Sequence, residues 1–381
     1  MNADLVARGL AVRAQGLVQR TVRGHAIATA ADASLGALPG FTVHAEPPVL
    51  TLTDAGASTI ASALRVTATQ PCFRVTGTPV LPVASDPSAY GGTDGAGGTN
   101  YGRPIQWEWM SDAAQVELLL VKFNALFDLF VDGQLVQQAA FSIPATGDRR
   151  LVRLDLSATA DPRRPRHYRI TGTNLLFGGL FLDPAGSAWF PGDHAGRALI
   201  AFLGDSYTQG TGAPTVARNW SAAAAAQLRM DAWSDGVGGA GWNGTGAGAP
   251  AARVAKGLAV LTRAPDVIVT ALGYNDAGGD LATLRAHYDT TVAAIRAAWP
   301  DAQLVTLGPW TPLGPTTALT AIKTALQERA VAHRVPFLDL EAMIGVGNRG
   351  IYTAADNVHP TAAGHLYLGR RIGQAIAAVL A

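Results

Sequence analysis

The chain has one cysteine and few charged residues for its length of 381 amino acids. The lone Cys72 cannot form an intrachain disulfide, and it excludes a zinc site built from several cysteines. Charged residues make up 15% of the chain, and 29 basic against 28 acidic side chains give a net charge of +1. Because these charges are not gathered in blocks, the sequence predicts no nucleic-acid partner and favours a small or neutral ligand.

Long apolar runs are also missing from the sequence. No stretch of about 18 consecutive apolar residues occurs, so we expect no membrane span. Arg8, Arg13 and Gln15 interrupt the N-terminal segment, so no secretory signal peptide is visible. The localisation stays open, because action outside the cell would need a trimmed signal, another export route or release within a virus particle. The sequence leaves the oligomeric state open as well.

Residues 41–190 have the texture of an all-β domain. Short runs rich in β-branched and aromatic residues, many of them alternating with polar ones, are typical of strands with one buried face. Such runs occur at residues 48–53, 63–69, 72–76, 115–121, 126–133 and 151–156. The dipeptide Asp132-Gly133 predicts a tight hairpin turn. Because no convincing helical pattern occurs in this part, we predict a β-sandwich of the jelly-roll type.

From residue 198 onward, after a linker at residues 183–197 that is rich in Pro, Gly and Asp, the pattern changes to apolar strand, polar loop and amphipathic helix, repeated. Strands are predicted at residues 198–203, 231–237, 266–272, 303–307 and 336–340, and helices at residues 216–229, 251–262, 281–298, 317–333 and 361–380. This alternation predicts an α/β domain over residues 191–381, with a parallel sheet covered by helices on both faces. Residues 1–40 fit neither half. We expect them to form an arm that packs on the domain or on a partner chain, with a short helix in the first 19 residues.

Polar residues and glycines collect where the predicted parallel strands end. In an open α/β sheet the ligand site lies beyond the carboxyl ends of the strands. The segments at these ends read Gly204-Asp-Ser206, Gly236-Val-Gly-Gly-Ala-Gly-Trp242, Gly273-Tyr-Asn-Asp276, Gly308-Pro-Trp310 and Asp356-Asn-Val-His359. They supply a hydroxyl, an imidazole, carboxylates, a side-chain amide and glycine N–H groups, which together are the groups that acyl transfer needs.

The serine of the first segment is the candidate nucleophile. Ser206 needs a base within hydrogen-bond reach, and His359 can be that base, with Asp356 to fix its tautomer. The N–H groups of Ser206 and Gly239 and the amide of Asn275 could converge on the oxyanion. The chain order Ser, Asp, His is that of the α/β-hydrolases, but the Gly-x-Ser-x-Gly elbow is missing around the serine.

Four of these segments resemble the signature of the SGNH, or GDSL-type, hydrolase family, which is named after its Ser, Gly, Asn and His. They match in the family's order over residues 198–381. The resemblance implies a three-layer α/β/α domain with Ser206 as nucleophile, His359 as base and Asp356 as the partner that orients it. It also implies Gly239 and Asn275 as oxyanion donors.

Three aromatic residues at the strand ends are candidate substrate contacts. Tyr274 stands where family members often have a small residue, and we expect it to narrow the acyl pocket. Trp242 and Trp310 could stack on a sugar or wall the acyl pocket, with rim packing as the alternative. Trp107 and Trp109 share one face of a predicted strand, so core packing is predicted for both, with a sugar platform as the alternative.

Other chemistries have less support. Asp205 and Asp276 could form the carboxylate pair of a glycosidase, but each lies next to a motif residue and is expected to bond to loop N–H groups. His365 is expected to be structural, because no third ligand is spaced to complete a metal site. The remaining histidines do not cluster, so we predict neither a metal nor a cofactor.

The β-rich half adds a second resemblance, which rests on architecture. A jelly roll ahead of an SGNH domain is similar to the two-domain carbohydrate esterases, which remove acetyl groups from sugars. This implies a serine esterase acting on short acyl esters, above all O-acetyl groups, with an acylated carbohydrate or another small ester as its partner.

Two alternative functions remain open at this point. One is a lipase, thioesterase or lysophospholipase-like activity on longer acyl chains. The other is a virion or tail-associated carbohydrate-binding protein that carries an SGNH domain, because residues 204–213 and 236–242 resemble SGNH domains of actinobacterial and phage tail-associated proteins.

Overall fold

The structure is a computed structural model of the chain. It describes residues 21–23, 38, 41–84, 86–93, 103–121, 124–144, 149–192, 197–341, 343–345 and 347–380. The described residues fall into two compact units, a β-rich unit within residues 39–195 and an α/β unit within residues 1–38 and 196–381, with Thr215–Ala217 grouped with the β-rich unit. No helix in the described ranges is long and apolar enough to cross a membrane.

Strands and helices follow one another along the chain in two blocks. The strands are β1 (Thr21–Arg23), β2 (Val49–Thr53), β3 (Leu64–Thr67), β4 (Arg74–Thr76), β5 (Val80–Val83), β6 (Asp86–Gly92), β7 (Ile105–Ser111), β8 (Gln115–Val121), β9 (Ala125–Val131), β10 (Gln134–Leu135), β11 (Phe141–Ile143), β12 (Arg149–Asp155), β13 (Arg166–Thr173), β14 (Leu176–Leu182), β15 (Ala188–Trp189), β16 (Leu199–Gly204), β17 (Asp231–Gly236), β18 (Val267–Ala271), β19 (Gln303–Leu307) and β20 (Phe337–Asp339). The α-helices are α1 (Ser206–Gln209), α2 (Trp220–Leu228), α3 (Pro250–Lys256), α4 (Leu281–Ala298), α5 (Thr317–Ala332), α6 (Arg349–Tyr352) and α7 (Ala362–Leu380).

Two antiparallel sheets share one core in the β-rich unit. One has the strand order β10-β9-β13-β7-β15, with β11 on β9 and β4 on β7, and the other has the order β2-β12-β8-β14-β6-β5, with β3 on β14. Alternate residues of each strand point into the core, such as Val116, Leu118 and Leu120 of β8. Residues of both sheets belong to this one cluster, so the predicted β-sandwich is confirmed.

Trp107 and Trp109 share a face of β7, and that face is the core. Trp109 is 0% exposed and stacks on Tyr168, with the ring centroids 5.4 Å apart. Trp107 is 1% exposed and meets Phe73 edge-on at 5.9 Å. Core packing is therefore confirmed, and the alternative of a sugar platform is wrong because neither ring reaches the surface.

The Asp132-Gly133 turn closes the predicted hairpin. Val131 on β9 pairs with Gln134 on β10. Asp132 has a φ of 50° and Gly133 a φ of 79°. Two successive residues with positive φ form the two-residue turn whose twist matches that of the flanking strands.

The sheet of the α/β unit has the strand order β1-β20-β19-β18-β16-β17, and all of its strand pairs are parallel. Alternate residues of β16 face opposite sides, with Ile200 and Phe202 in one core cluster and Leu199, Ala201 and Leu203 in the other. Helices α2 and α7 cover the first cluster, whereas α3, α4 and α5 cover the second. The predicted three-layer α/β/α arrangement is confirmed.

The predicted helices differ from the observed ones mainly at their ends. The helix expected from residue 216 begins at Trp220, because the Asn219 side chain accepts the N–H of Ala222 and caps the helix there. The helix expected to reach residue 262 ends at Lys256, since Gly257 follows and glycine is unfavourable in a helix interior.

The N-terminal arm contributes an edge strand to the parallel sheet. Strand β1 lies next to β20, with Thr21 paired to Phe337. The sequence predicted packing of the arm but not a strand, because three residues are too few to show alternation. The short helix predicted for the first 19 residues lies outside the described residues.

Candidate active site

Ser206 opens a short helical turn directly after the buried strand β16. Asp205 caps this turn, since its Oδ1 accepts the N–H of Tyr207 at 3.0 Å. Two glycines allow the turn to pack on the strand ends. A Cβ on Gly204 would collide with the Thr208 side chain, and one on Gly236 would collide with backbone of the same turn. This tight packing positions the serine without a Gly-x-Ser-x-Gly elbow.

His359 lies between Ser206 and Asp356, in the loop before α7. Its Nε2 is 2.9 Å from Ser206 Oγ, and its Nδ1 is 2.6 Å from Asp356 Oδ2. The second carboxylate oxygen accepts the N–H groups of Val358 at 2.9 Å and His359 at 3.0 Å. The hydrogen bond from the His359 ring is the largest cause that lowers the pKa of Asp356, to about 2. A neutral ring with its proton on Nδ1 fits both distances, and it leaves Nε2 free to accept the serine proton.

Gly239 and Asn275 come together next to this turn. Gly239 is exposed, has a φ of 73° and would leave a Cβ in open space, whereas neighbouring Gly241 is buried. Asn275 belongs to a 3-10 turn that begins after Gly273, whose φ is 134°. The Asn275 Nδ2 donates to the carbonyl of Ala240 at 2.8 Å and lies 3.5 Å from an oxygen of Asp205. The loop of Gly239 and the turn of Asn275 are thereby tied to each other and to the base of the serine turn.

An aromatic cluster stands beside the histidine. Tyr207 stacks on Trp310 with ring centroids 4.6 Å apart, and meets Tyr274 and His359 edge-on at 5.6 Å each. A cavity of about 20 Å³ is lined by Tyr207, Tyr274 and Trp310 and by core residues such as Trp220 and Leu368, but not by Ser206 or His359. Such a volume holds about one water molecule. Sequence reasoning did not single out Tyr207, although its place directly after the motif serine was a signal for it.

Trp242 is not a substrate contact, and here the sequence interpretation needs correction. Its side chain is 0% exposed and packs against Tyr288, with ring centroids 5.0 Å apart. A ring buried in the core cannot stack on a sugar. Trp310 is 7% exposed, so it can form part of a wall but offers little surface for stacking.

The two carboxyls next to the motif residues bind loop N–H groups, as predicted. Asp276 accepts the N–H of Trp242 at 2.8 Å and of Asn243 at 2.7 Å. Burial raises the pKa of Asp276, and burial raises the pKa of Asp205 to about 7. Asp205 binds its own turn and Asp276 binds the loop after β17, so the two are not paired with each other in a glycosidase-like arrangement.

A buried arginine beneath the strand ends was missed from the sequence. Arg253 on α3 is 3% exposed, and its Nη2 donates to the carbonyl of Gly204 at 2.8 Å and lies 3.2 Å from Asp235 Oδ1. Its charge opposes the effect of burial on the pKa of Asp205. Its position in an otherwise apolar, inward-facing part of a short helix was the only signal in the sequence.

His365 is structural, as predicted. It is 0% exposed, its Nδ1 accepts the N–H of Trp220 at 3.1 Å, and its Nε2 lies 2.9 Å from the carbonyl oxygen of Thr211. Burial lowers the pKa of His365 to about 4, so the ring is neutral near pH 7. Both ring nitrogens are used in holding α7 to α2 and to the loop after α1.

Comparison with known proteins gives a family match for the α/β unit. Residues 202–366 match the model of the GDSL-like lipase/acylhydrolase family. No curated protein matches the chain.

Several solved structures share the fold of both units. A salicylyl-acyltransferase from a tetracycline biosynthetic pathway has a TM-score of 0.65 and 17% identity, with 84% of this chain and 98% of that chain covered. A family two carbohydrate esterase from Clostridium thermocellum, solved with cellohexaose, has a TM-score of 0.59 and 18% identity, with 80% and 98% covered. An acetyl xylan esterase from the rumen bacterium Butyrivibrio proteoclasticus has a TM-score of 0.57 and 15% identity, with 86% and 98% covered. At these identities the likeness shows a shared fold. The family match and the geometry around Ser206 agree, and residues 202–366 form a GDSL-like lipase/acylhydrolase domain, the domain of a carboxylic ester hydrolase.

Proposed function

We propose that the protein is a serine esterase that removes short acyl groups, with O-acetyl groups on a carbohydrate as its substrate. The observation that carries this proposal is the position of His359, within 2.9 Å of Ser206 Oγ and 2.6 Å of Asp356 Oδ2. A serine hydroxyl becomes nucleophilic when a base in hydrogen-bond reach takes its proton.

In the first half of the proposed reaction, Ser206 Oγ attacks the ester carbonyl and His359 Nε2 takes the hydroxyl proton. Asp356 holds the Nδ1 proton and stabilises the imidazolium that forms. The tetrahedral oxyanion accepts hydrogen bonds from the N–H of Gly239 and from Asn275 Nδ2. The N–H of Ser206, which begins the helical turn, is the third donor.

In the second half, His359 returns the proton to the leaving alcohol oxygen, and the acyl–serine ester remains. A water molecule then takes the place of the alcohol. His359 accepts a proton from this water while the water oxygen attacks the acyl carbon. Collapse of the second tetrahedral intermediate breaks the bond to Ser206 Oγ, which regains its proton from His359. The products are the acid and the free enzyme.

The aromatic cluster supports a short acyl group. Tyr207 packs against Tyr274, Trp310 and His359, so that aromatic rings border the space beside the histidine. A long acyl chain would need to displace these packed rings. Support for carbohydrate as the leaving group comes from the solved structures with the same two-unit fold, which include a carbohydrate esterase and an acetyl xylan esterase.

Hydrolysis of p-nitrophenyl esters of increasing chain length tests the proposal. We expect the highest kcat/KM for the acetyl ester, and we expect Ser206→Ala to lower it by on the order of 10³ or more. Acetate release from acetylated polysaccharides, measured with wild type and Ser206→Ala, tests whether the leaving group is a carbohydrate. A rate within a fewfold of wild type in Ser206→Ala would exclude this nucleophile. A preference for long chains would exclude the acetyl ester but leave the nucleophile in place.

Acyl transfer to an alcohol is a second candidate, favoured by the likeness to a salicylyl-acyltransferase of which 98% is covered. In that case an acceptor alcohol replaces water in the second half of the reaction. Product analysis in the presence of a sugar or a simple alcohol separates the two. A hydrolase gives mainly free acid, whereas a transferase gives mainly the new ester.

A further inference from the structure

We propose that Asp276 is a positioning residue for the oxyanion site. Its carboxylate holds the loop that carries Gly239 against the turn that carries Asn275. This inference rests on the proposed function, because it assigns a catalytic purpose to loop contacts only if Gly239 and Asn275 bind an oxyanion.

The carboxylate of Asp276 joins the two segments directly. Its Oδ2 accepts the N–H of Trp242 at 2.8 Å, and its Oδ1 accepts the N–H of Asn243 at 2.7 Å. Asp276 follows Asn275 in sequence, and Trp242 lies three residues after Gly239. One side chain therefore connects the neighbours of both proposed donors.

Other contacts hold the same loop in one position, in addition to the hydrogen bonds to Asp276. The Trp242 indole is fully buried against Tyr288, and the Trp242 carbonyl oxygen lies 2.7 Å from His287 Nδ1. The Asn275 amide adds a bond to the Ala240 carbonyl at 2.8 Å. The loop is anchored on the C-terminal side of Gly239, while Gly239 itself stays exposed.

Gly241 makes the close approach of the carboxylate possible. A Cβ at this position would lie 2.6 to 2.8 Å from the three carboxyl atoms of Asp276. Asp276 is 3% exposed and is held by two N–H groups, so it has little room to give way. Alanine at position 241 should therefore push the carboxylate off its partners without altering Asp276 itself.

The matched pair Asp276→Asn and Asp280→Asn tests the proposal. Asp280 also accepts two backbone N–H groups, from Ala282 at 3.2 Å and Thr283 at 2.8 Å, but it caps α4 and does not contact the oxyanion loop. With p-nitrophenyl acetate as substrate, we expect Asp276→Asn to lower kcat roughly 10-fold to 100-fold and to change KM by no more than about twofold. The reason is that a displaced N–H donor no longer stabilises the oxyanion, which develops in the transition state and is absent from the bound ester. Asp280→Asn should keep kcat within about twofold, although both changes lower Tm.

A second pair, Gly241→Ala and Gly248→Ala, tests the contact between Asp276 and the loop by changing the loop instead of the carboxyl. This pair is the test of the proposal if Asp276→Asn does not fold. Within the described part of the chain, a Cβ on Gly248 would have no heavy atom within 4 Å, so alanine fits there. We expect Gly241→Ala to lower kcat and Gly248→Ala to leave it unchanged. Equal kcat values within each pair, or losses confined to KM, would overturn the proposal. Activity retained by Ser206→Ala would instead overturn the proposed function.

Discussion

Glu108 in the β-rich unit and Asp205 in the α/β unit are both buried carboxyl groups, 1% and 2% exposed. Their surroundings differ in charge. Arg74 Nη2 lies 2.5 Å from Glu108 Oε2, and His167 Nε2 lies 3.2 Å from Glu108 Oε1. Burial alone would raise the pKa of Glu108, but the hydrogen bond from His167 and the charges of Arg74 and Arg169 lower it to about 2. The β-rich unit thus keeps Glu108 charged although it is buried.

Asp205 has no such ion pair within the described residues. It accepts the N–H of Tyr207 at 3.0 Å and lies 3.5 Å from Asn275 Nδ2. Burial is the largest influence and raises the pKa of Asp205 to about 7, although the charge of Arg253 opposes it.

The difference between the two carboxyls shows that burial does not by itself decide the charge of a side chain. In the β-rich unit, cations in contact with Glu108 stabilise its charge, and the group serves the fold. Beside Ser206, the carboxyl of Asp205 has no such contact with any described residue, and its pKa is raised to about 7. Strongly shifted pKa values of this kind are frequent at functional sites.

Replacing Asp356 with Asn should give the largest effect of the three carboxyls, and it should fall on the rate. Its pKa is as low as that of Glu108, yet its side chain is 48% exposed and its partner is the proposed base His359. We expect kcat/KM for p-nitrophenyl acetate to fall by on the order of 10³, because Asn cannot hold the required tautomer. A loss below about tenfold would contradict this. The urea midpoint should hardly move, since exposed pairs contribute little stability.

Glu108→Gln should give a smaller effect, on stability rather than rate. The variant replaces the carboxylate of a buried ion pair with a neutral amide beside Arg74, which costs about 3 kcal/mol. The folded pKa lies below the ordinary 4.5, so the stabilisation is present above that pH and is lost as the pH falls towards 2. Urea unfolding of wild type and variant at pH 7 and pH 3 measures both the loss of stability and its dependence on pH.

Glu117→Gln is the control for Glu108→Gln. Glu117 is 0% exposed and is bound by Ser58 Oγ at 2.6 Å and by the N–H of Thr59, which carry no charge. We expect a loss of about 1 kcal/mol there. Equal losses of unfolding free energy in the two variants would show that the cation beside Glu108 adds nothing to the stability that a buried carboxyl provides in this unit.

Much of the fold could be predicted from the sequence because local patterns determine it. Alternation along strands such as β12 and the apolar runs such as β16 indicated the two units and their sheets. The motif segments could be placed because parallel strands end at one edge of a sheet. The three-residue strand β1 was missed, since its partner β20 lies at the far end of the chain and only that pairing defines it.

The side-chain contacts of the site were harder to predict, because they depend on how loops from distant segments turn toward each other. Trp242 and Trp310 follow strand ends in the same way, yet one ring turns into the core and the other stacks on Tyr207. No local pattern distinguishes them. Among the residues that the structure describes, Asp205 lacks an ion pair, and this too is a property of its neighbours in space rather than in sequence.

Of the three carboxyls Asp356, Glu108 and Asp205, the last should give the smallest effect when it is replaced with Asn, with a sign opposite to that of Glu108→Gln at neutral pH. The folded pKa of about 7 lies above the ordinary 3.8, so the native state holds an extra proton between these values and wild type loses stability as the pH rises through them. Asn keeps an oxygen for the Tyr207 N–H but carries no buried charge. We expect the stability of the variant relative to wild type to improve by about 2 kcal/mol between pH 4 and pH 8, less than the full value of about 1.4 kcal/mol per pKa unit because the site can relax. Urea unfolding at both pH values measures this, and parallel pH dependences would contradict it. A variant that is more stable at pH 8 but slower would mean that the α/β unit retains this carboxyl for the reaction and not for the fold.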